Sequence, residues 1–158
     1  MDVLAHFLWI NALFYKRKKA WLAGLFGVLP DVISFGPFII LYFFMDGVRF
    51  GKPDYFPNSL QLIYNLSHSL VIFTIVIFGI YFLTKKIYWY LFGWGLHILM
   101  DIPTHARDFF PTKFLYPLSN ITFDGYSWGQ KDFLIVNWSL LAVVYLILAI
   151  HVRRKKKV

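Results

Sequence analysis

Four stretches of the chain are almost wholly apolar: Ala20 to Phe44, Leu60 to Leu83, Ile87 to Pro103 and Phe133 to Ile150. Runs of this length predict helices that cross a bilayer, because about 20 residues rising about 1.5 Å each traverse a hydrocarbon layer about 30 Å thick. The third run is short and is expected to continue past Pro103. Met1 to Tyr15 forms a fifth, marginal run. Its basic residues follow the apolar stretch and no small-residue cleavage site appears, so it reads as a retained, shorter first helix and not as a signal peptide. Pro30, Gly36 and Pro37 are expected to break the second run.

Charge is concentrated between the runs. Lys16-Arg17-Lys18-Lys19, Lys85-Lys86 and Arg153-Arg154-Lys155-Lys156-Lys157 mark three turns or ends, and the positive-inside rule assigns all three to the cytoplasmic face. The five segments then alternate consistently. The N-terminus is outside, Asp46 to Ser59 form an outer loop, residues 104 to 131 lie outside, and the C-terminus is cytoplasmic. Trp89, Tyr90, Tyr116, Tyr126 and Trp128 fall at expected interfaces. The reading is therefore all-α: one membrane-embedded domain over residues 1–158, a polytopic bundle of about five spanning or partly spanning helices. The stretch 104–131 is long for a structureless loop, and its Asp108, Pro111, Pro117, Asn120, Asp124 and Gly129 predict a folded cap over the outer face.

Composition sharpens this picture. Of 158 residues, 59% are hydrophobic and 15% charged, against about half and about a quarter in soluble domains. A water-soluble fold is disfavoured, and the partner implied is the lipid bilayer. The formal charge of +8 sits at span ends and not on a mixed polar surface, which argues against nucleic acid as a partner. All eight acids are Asp, so carboxylate chemistry must use Asp. The absence of Cys excludes disulfides, thiolate metal sites and a thiol nucleophile.

Ionisable groups within spans are costly unless paired or wet, and they mark function by default. Here they are His6, Asp31, His68, His97 and Asp101, with His105 just beyond. At about 1.5 Å per residue from the basic turns, all five lie roughly 15 to 25 Å toward the outer face, in one layer supplied by four segments. His97 and Asp101 are i, i+4 neighbours on one helical face, and His105 continues that line. Asp2 and His6 share the spacing. Imidazole and carboxylate donors without Cys suit zinc or another divalent first-row metal, and a cation would neutralise two Asp charges in a low-dielectric layer. His6, Asp31, His68, His97 and Asp101 are thus the expected metal ligands, enough for one ion and a second ion or outer shell. Packing roles compete at each position: His6 as a hydrogen-bonded core residue, Asp31 as a cap after Pro30, His68 bonding a neighbouring helix with Ser67 and Ser69. His151, beside Arg153, reads as interfacial. Gly125-Tyr126-Ser127-Trp128-Gly129 matches G-x-S-x-G, but the only later His is His151, on the opposite face, so a serine nucleophile elbow is not expected.

These residues also carry a resemblance. Ala5-His6-Phe7-Leu8, Gly27-Val28-Leu29-Pro30-Asp31, Leu66-Ser67-His68-Ser69 and Gly95-Leu96-His97-Ile98-Leu99-Met100-Asp101-Ile102-Pro103-Thr104 resemble the bacterial and archaeal membrane-bound metal-dependent hydrolase family, which includes the YdjM-type inner-membrane proteins. The similarity runs to about Pro117-Leu118. It implies a small multi-pass helical protein of the prokaryotic cytoplasmic membrane, a metal-dependent hydrolase with a distant likeness to zinc-dependent phospholipases. The family often reads L-P-D-x-D, whereas Asp31 here is followed by Val32 and Ile33. It often reads H-R-G-x-T-H-S, whereas residues 63–69 keep only the second His.

The expected activity is hydrolysis of a phosphoester or lipid with a metal-activated water. Asp101 or His105 would be the general base, and Arg107 and Lys113 of the outer loop would bind an anionic head group. An ion, proton or metal transporter is the first alternative, since intramembrane Asp and His also build relays. It requires polar groups at successive depths, and the inner halves of the spans are apolar. A non-catalytic scaffold locked by a structural metal or polar cluster is the second alternative, and it predicts a closed site.

Overall fold

Every apolar run of the sequence is helical in the computed structural model, which describes residues 1–46, 57–108 and 110–155. The helices are α1 (Val3–Leu13), α2 (Ala20–Asp46), α3 (Asn58–Ser67), α4 (Leu70–Thr84), α5 (Phe92–Thr104) and α6 (Lys131–Lys155), with a 3₁₀ turn at Trp89–Leu91 before α5. No strand occurs among the described residues. Most of the expected outer loop between Asp46 and Ser59 lies outside them, as do Lys156 and Lys157 of the last basic cluster.

Length separates these helices into two kinds. α2 and α6, with 27 and 25 residues, are long and apolar enough to cross a membrane. α1 and α5 have 11 and 13 residues, or about 17 and 20 Å, short of a hydrocarbon layer of about 30 Å. α3 and α4 pass the length test only together, and they are bent by 58° at their junction. Two helices, or three if the bent pair is one span, therefore qualify as crossings. α6 shows why: only 11% of its apolar window is buried, and Ile135, Val136, Leu140, Val143, Leu146 and Ile147 are all more than half exposed. Such a surface suits hydrocarbon and not water.

The breaks fall elsewhere than the sequence suggests. α2 runs unbroken through Pro30 and Pro37, contrary to the expected interruption. Each proline removes one backbone donor, a loss that neighbouring helices and side-chain hydroxyls make tolerable in apolar surroundings. Ser34 Oγ donates to the Pro30 carbonyl at 2.8 Å, within the same helix. The run Leu60 to Leu83, expected to be one continuous helix, is instead broken after Ser67. His68 ends α3, and Ser69 starts α4 by accepting hydrogen bonds on Oγ from Val71 N and Ile72 N at 3.1 and 3.2 Å. That N-cap replaces the missing helical partners of two amide groups. The Leu70 amide, left over by the break, donates to Phe114 O at 2.9 Å.

α2 is the central element, packed against α1, α3 and α5, while α6 joins through α1 and α4 leans on α5. Gly93 makes the α2–α5 approach possible, because a Cβ there would overlap the Ala23 carbonyl. The segment after α5 folds back over the end of that helix. Gly125 N, Tyr126 N and Trp128 N donate to the carbonyls of His105, Pro103 and Thr104 at 2.9, 2.9 and 3.0 Å, satisfying the acceptors that a helix C-terminus leaves open. Gly125 has no room for a side chain, which would meet the backbone of Pro103 and His105. The G-x-S-x-G motif is accordingly part of this brace.

The described residues of the three basic clusters gather at the opposite end of the bundle. Arg17 lies over the Trp89 ring at 5.9 Å, Phe14 contacts Trp89 at 5.2 Å, and Tyr15 meets His151 at 6.1 Å. The turn after α1, the turn after α4 and the C-terminal end of α6 thus share one end.

Candidate metal centre

Four parts of the fold deliver polar side chains to one buried locus. His6 projects from the middle of α1, Asp31 from α2 one residue after Pro30, and His68 from the α3–α4 break. His97 and Asp101 come from successive turns of α5 and His105 from its C-cap. His6, His68 and His97 are fully buried, and Asp101 is 1% exposed. Asp31 has the most accessible side chain, at 11%. All six expected groups thus converge, as the common depth along the sequence predicts.

Asp31, His68, His97 and Asp101 form the tightest set, each offering a donor atom within 4.8 Å of the others. Its edges are short. His97 Nε2 lies 3.0 Å from both Asp101 Oδ2 and His68 Nε2. His68 Nε2 lies 3.4 Å from Asp31 Oδ1 and 3.5 Å from Asp101 Oδ2. His97 Nε2 lies 3.8 Å from Asp31 Oδ1. Donors about 2.0–2.1 Å from a zinc ion stand about 3.3–3.4 Å apart at the corners of a tetrahedron. The observed edges scatter about that value.

The proton inventory agrees. His68 Nδ1 lies 3.0 Å from the Tyr64 carbonyl, which can only accept, so Nδ1 carries the proton and Nε2 turns its lone pair to the set. Asp101 Oδ2 and His6 Nε2 are buried with no hydrogen-bond partner, although His6 Nε2 is only 3.0 Å from Asp101 Oδ1. Asp101 Oδ2, a buried acceptor of the four-donor set without a hydrogen bond, is what a cation among the four explains. The residues therefore fit a divalent cation, while His6, expected as a ligand, falls outside the four and faces Asp101 Oδ1. His6 Nδ1 also meets His97 Nδ1, which ties α1 to α5.

Asp101 is the hinge of the arrangement. Oδ2 faces the four-donor set, while Oδ1 faces His6 Nε2, His105 Nε2 at 3.4 Å and the Met1 nitrogen at 2.6 Å. His105 is oriented from its other side, since its Nδ1 lies 2.8 Å from the Phe110 carbonyl. Its Nε2 faces the Met1 nitrogen at 3.2 Å as well as Asp101 Oδ1. Tyr64 completes this shell. Its hydroxyl donates to Phe110 O at 3.0 Å and lies 3.2 Å from His105 Nδ1 and 3.3 Å from Thr112 Oγ1, while its ring stacks on His68 at 3.9 Å.

Sequence reasoning missed Tyr64, Thr104, Thr112 and the Phe110 carbonyl. Tyr64 had a signal, for it precedes His68 by four residues, the spacing that singled out His97 and Asp101. Asp2 has a different use from the one its spacing to His6 suggested: its Oδ1 accepts from Ala5 N at 2.8 Å and caps α1. Arg107 is exposed and Lys113 half-buried, and neither forms an ion pair with Asp31 or Asp101 among the described residues. Asn137 Oδ1 accepts from Trp9 Nε1 at 2.8 Å, away from the site.

No family model, curated protein or solved structure matches this chain.

Proposed function

We propose that the chain is a multi-pass protein of a prokaryotic cytoplasmic membrane that hydrolyses a phosphoester or lipid with a divalent cation, zinc being the best suited. In this topology α1, α2, the bent α3–α4 pair, α5 and α6 make up the five-segment bundle. The basic end is cytoplasmic and the metal centre faces outward. The carrying observation is the close set of donor atoms of Asp31, His68, His97 and Asp101, five of whose separations run from 3.0 to 3.8 Å and all of which fall within 4.8 Å. The likeness of the His97 to Thr104 block to the membrane-bound metal-dependent hydrolases points the same way.

A cation held there would supply Lewis acidity and acidify a coordinated water toward neutrality. The chain's own residues perform the rest. Asp101 Oδ2 is committed to the donor set, which leaves His105 Nε2 as the general base that takes a proton from the attacking water. The Nδ1–H bond to Phe110 O holds the ring while it becomes doubly protonated, and Tyr64 supports that carbonyl. Arg107 and Lys113, in the cap, are placed to meet an anionic head group arriving from the outer face.

One observation favours a second reading. Four protein donors already complete a tetrahedron, the arrangement of structural zinc sites, whereas catalytic sites keep a position open or expand to five. A structural clamp uniting α2, α3, α4 and α5 would need nothing more. A transporter draws less support, because among the described residues the buried His and Asp side chains all belong to this one cluster and form no relay toward the basic end.

Hydrolysis of bis(4-nitrophenyl) phosphate and of phospholipid in mixed micelles, measured before and after chelation and zinc return, separates the two readings. The enzyme reading expects chelator-sensitive turnover that falls about 100- to 1,000-fold in His105→Gln with metal content unchanged. Tightly held metal with no turnover on either substrate would favour the clamp.

A further inference from the structure

A second site lies at the basic end, in the cleft between α4 and α5. Phe73, Thr74, Ile77, Phe78 and Tyr81 of α4 face Ile87 and Phe92 across a cavity of 350 Å³. That is within the range of small-ligand pockets, at its lower end. The lining is apolar but for Thr74 and the Tyr81 hydroxyl, and it is open along one side, where Phe78, Tyr81, Ile87 and Phe92 are 56, 41, 69 and 42% exposed. A narrow extension lined by Ile77, Tyr81, Ile87 and Phe92 continues to Lys86 and Tyr88.

The charge at this mouth is uncompensated. No acid occurs between Asp54 and Asp101 in the chain, and neither Lys85 nor Lys86 forms an ion pair among the described residues. Lys85 also occupies a left-handed backbone position, φ 55°, as the C-cap of α4, a place where Gly or Asn is unstrained. Its ammonium lies 5.4 Å from the Phe82 ring, which in turn lies 6.4 Å from the ring of Phe78 in the lining. Strain accepted at a cationic residue beside an open apolar groove has a functional meaning when the groove and the charge serve one ligand.

We infer that this cleft binds one anionic phospholipid, an acyl chain lying between α4 and α5 and the phosphate held by Lys85 and Lys86. The inference rests on the membrane-embedded part of the proposed function and not on the metal centre. The occupant follows from complementarity. A zwitterionic lipid would fill the groove equally well but leave the two ammonium groups without a net counter-charge, and a free phosphate would leave the groove empty.

The test is native mass spectrometry of the full-length protein, extracted from membranes in detergent and titrated with phosphatidylglycerol or phosphatidylcholine of identical acyl chains. Phosphatidylglycerol should bind more tightly, and Lys85→Gln with Lys86→Gln should remove about 30-fold of that preference at low salt, at about 1 kcal/mol for each cation. Ile77→Trp, which fills the groove, should reduce retention of both lipids. Lys18→Gln with Lys19→Gln, at the same end but away from the groove, should leave the preference in place. Equal affinities for the two lipids would overturn the inference. So would a preference insensitive to Lys85 and Lys86, or a groove that Ile77→Trp empties of a second copy of the chain instead of lipid. Recovery of the protein in the soluble fraction would instead contradict the membrane reading, and zinc content is a separate readout that these variants should not move.

Discussion

The two ends of this molecule hold charge in opposite ways. At one end His6, Asp31, His68, His97, Asp101 and His105 are buried at 9% exposure or less, each within about one atom's reach of another. At the other, Lys and Arg side chains from three turns stand exposed, with aromatic rings such as Trp89 as their nearest partners. The buried end needs every donor and acceptor placed, because an unpaired charge in a low dielectric is prohibitive. The basic end needs only to reach the interface. Substitutions should therefore be costly at the first end and mild along the apolar surface between them.

The largest expected effect is at the donor set. His97→Ala with Asp101→Ala should weaken zinc binding by more than about 100-fold, read by competition with a chromogenic chelator. Next is the α2–α5 contact that positions Asp31 against His97. Gly93→Val drives a Cβ into the Ala23 carbonyl and should cost about 3 kcal/mol or more in detergent unfolding. Tyr64→Phe removes the hydroxyl shared by Phe110 O, His105 and Thr112 and should cost about 1–3 kcal/mol. Ser69→Ala, which uncaps α4, should cost about 1 kcal/mol. At the mild extreme, Leu146→Ala on the outward face of α6 should stay within about 0.5 kcal/mol, as lipid replaces the lost methyl groups. A Leu146 effect as large as that of Tyr64 would erase the contrast between the buried end and the lipid-facing surface.

Much of this was legible in the chain. Long apolar runs report helices directly, so five helical segments were anticipated where α1 to α6 stand, and the ladder of 1.5 Å per residue brought five ionisable groups to one level before any coordinates. What escaped was local. Ser67-His68-Ser69 looked like a polar patch on a continuous span, because its role as a break depends on Ser69 capping α4 and on the Phe114 carbonyl taking the Leu70 amide, both tertiary events. Pro30 and Pro37 suggested a break that packing around α2 suppresses. Helix length also misled: Ile87 to Pro103 is apolar throughout, yet a 3₁₀ turn occupies its start and leaves α5 with 13 residues. Tyr64 was invisible to a search for ionisable and ligating groups, since its contribution is a hydrogen bond to a backbone carbonyl far along the chain.

The central claim, that Asp31, His68, His97 and Asp101 together hold one cation, is tested most directly by metal analysis of gently purified protein after equilibrium dialysis against zinc. The account predicts about one tightly bound equivalent in the wild type, and near-complete loss in His68→Ala and in His97→Ala with Asp101→Ala, each variant still membrane-extracted and helical by circular dichroism. Less than about 0.2 equivalents in the wild type, or zinc retained unchanged by the folded variants, would contradict it.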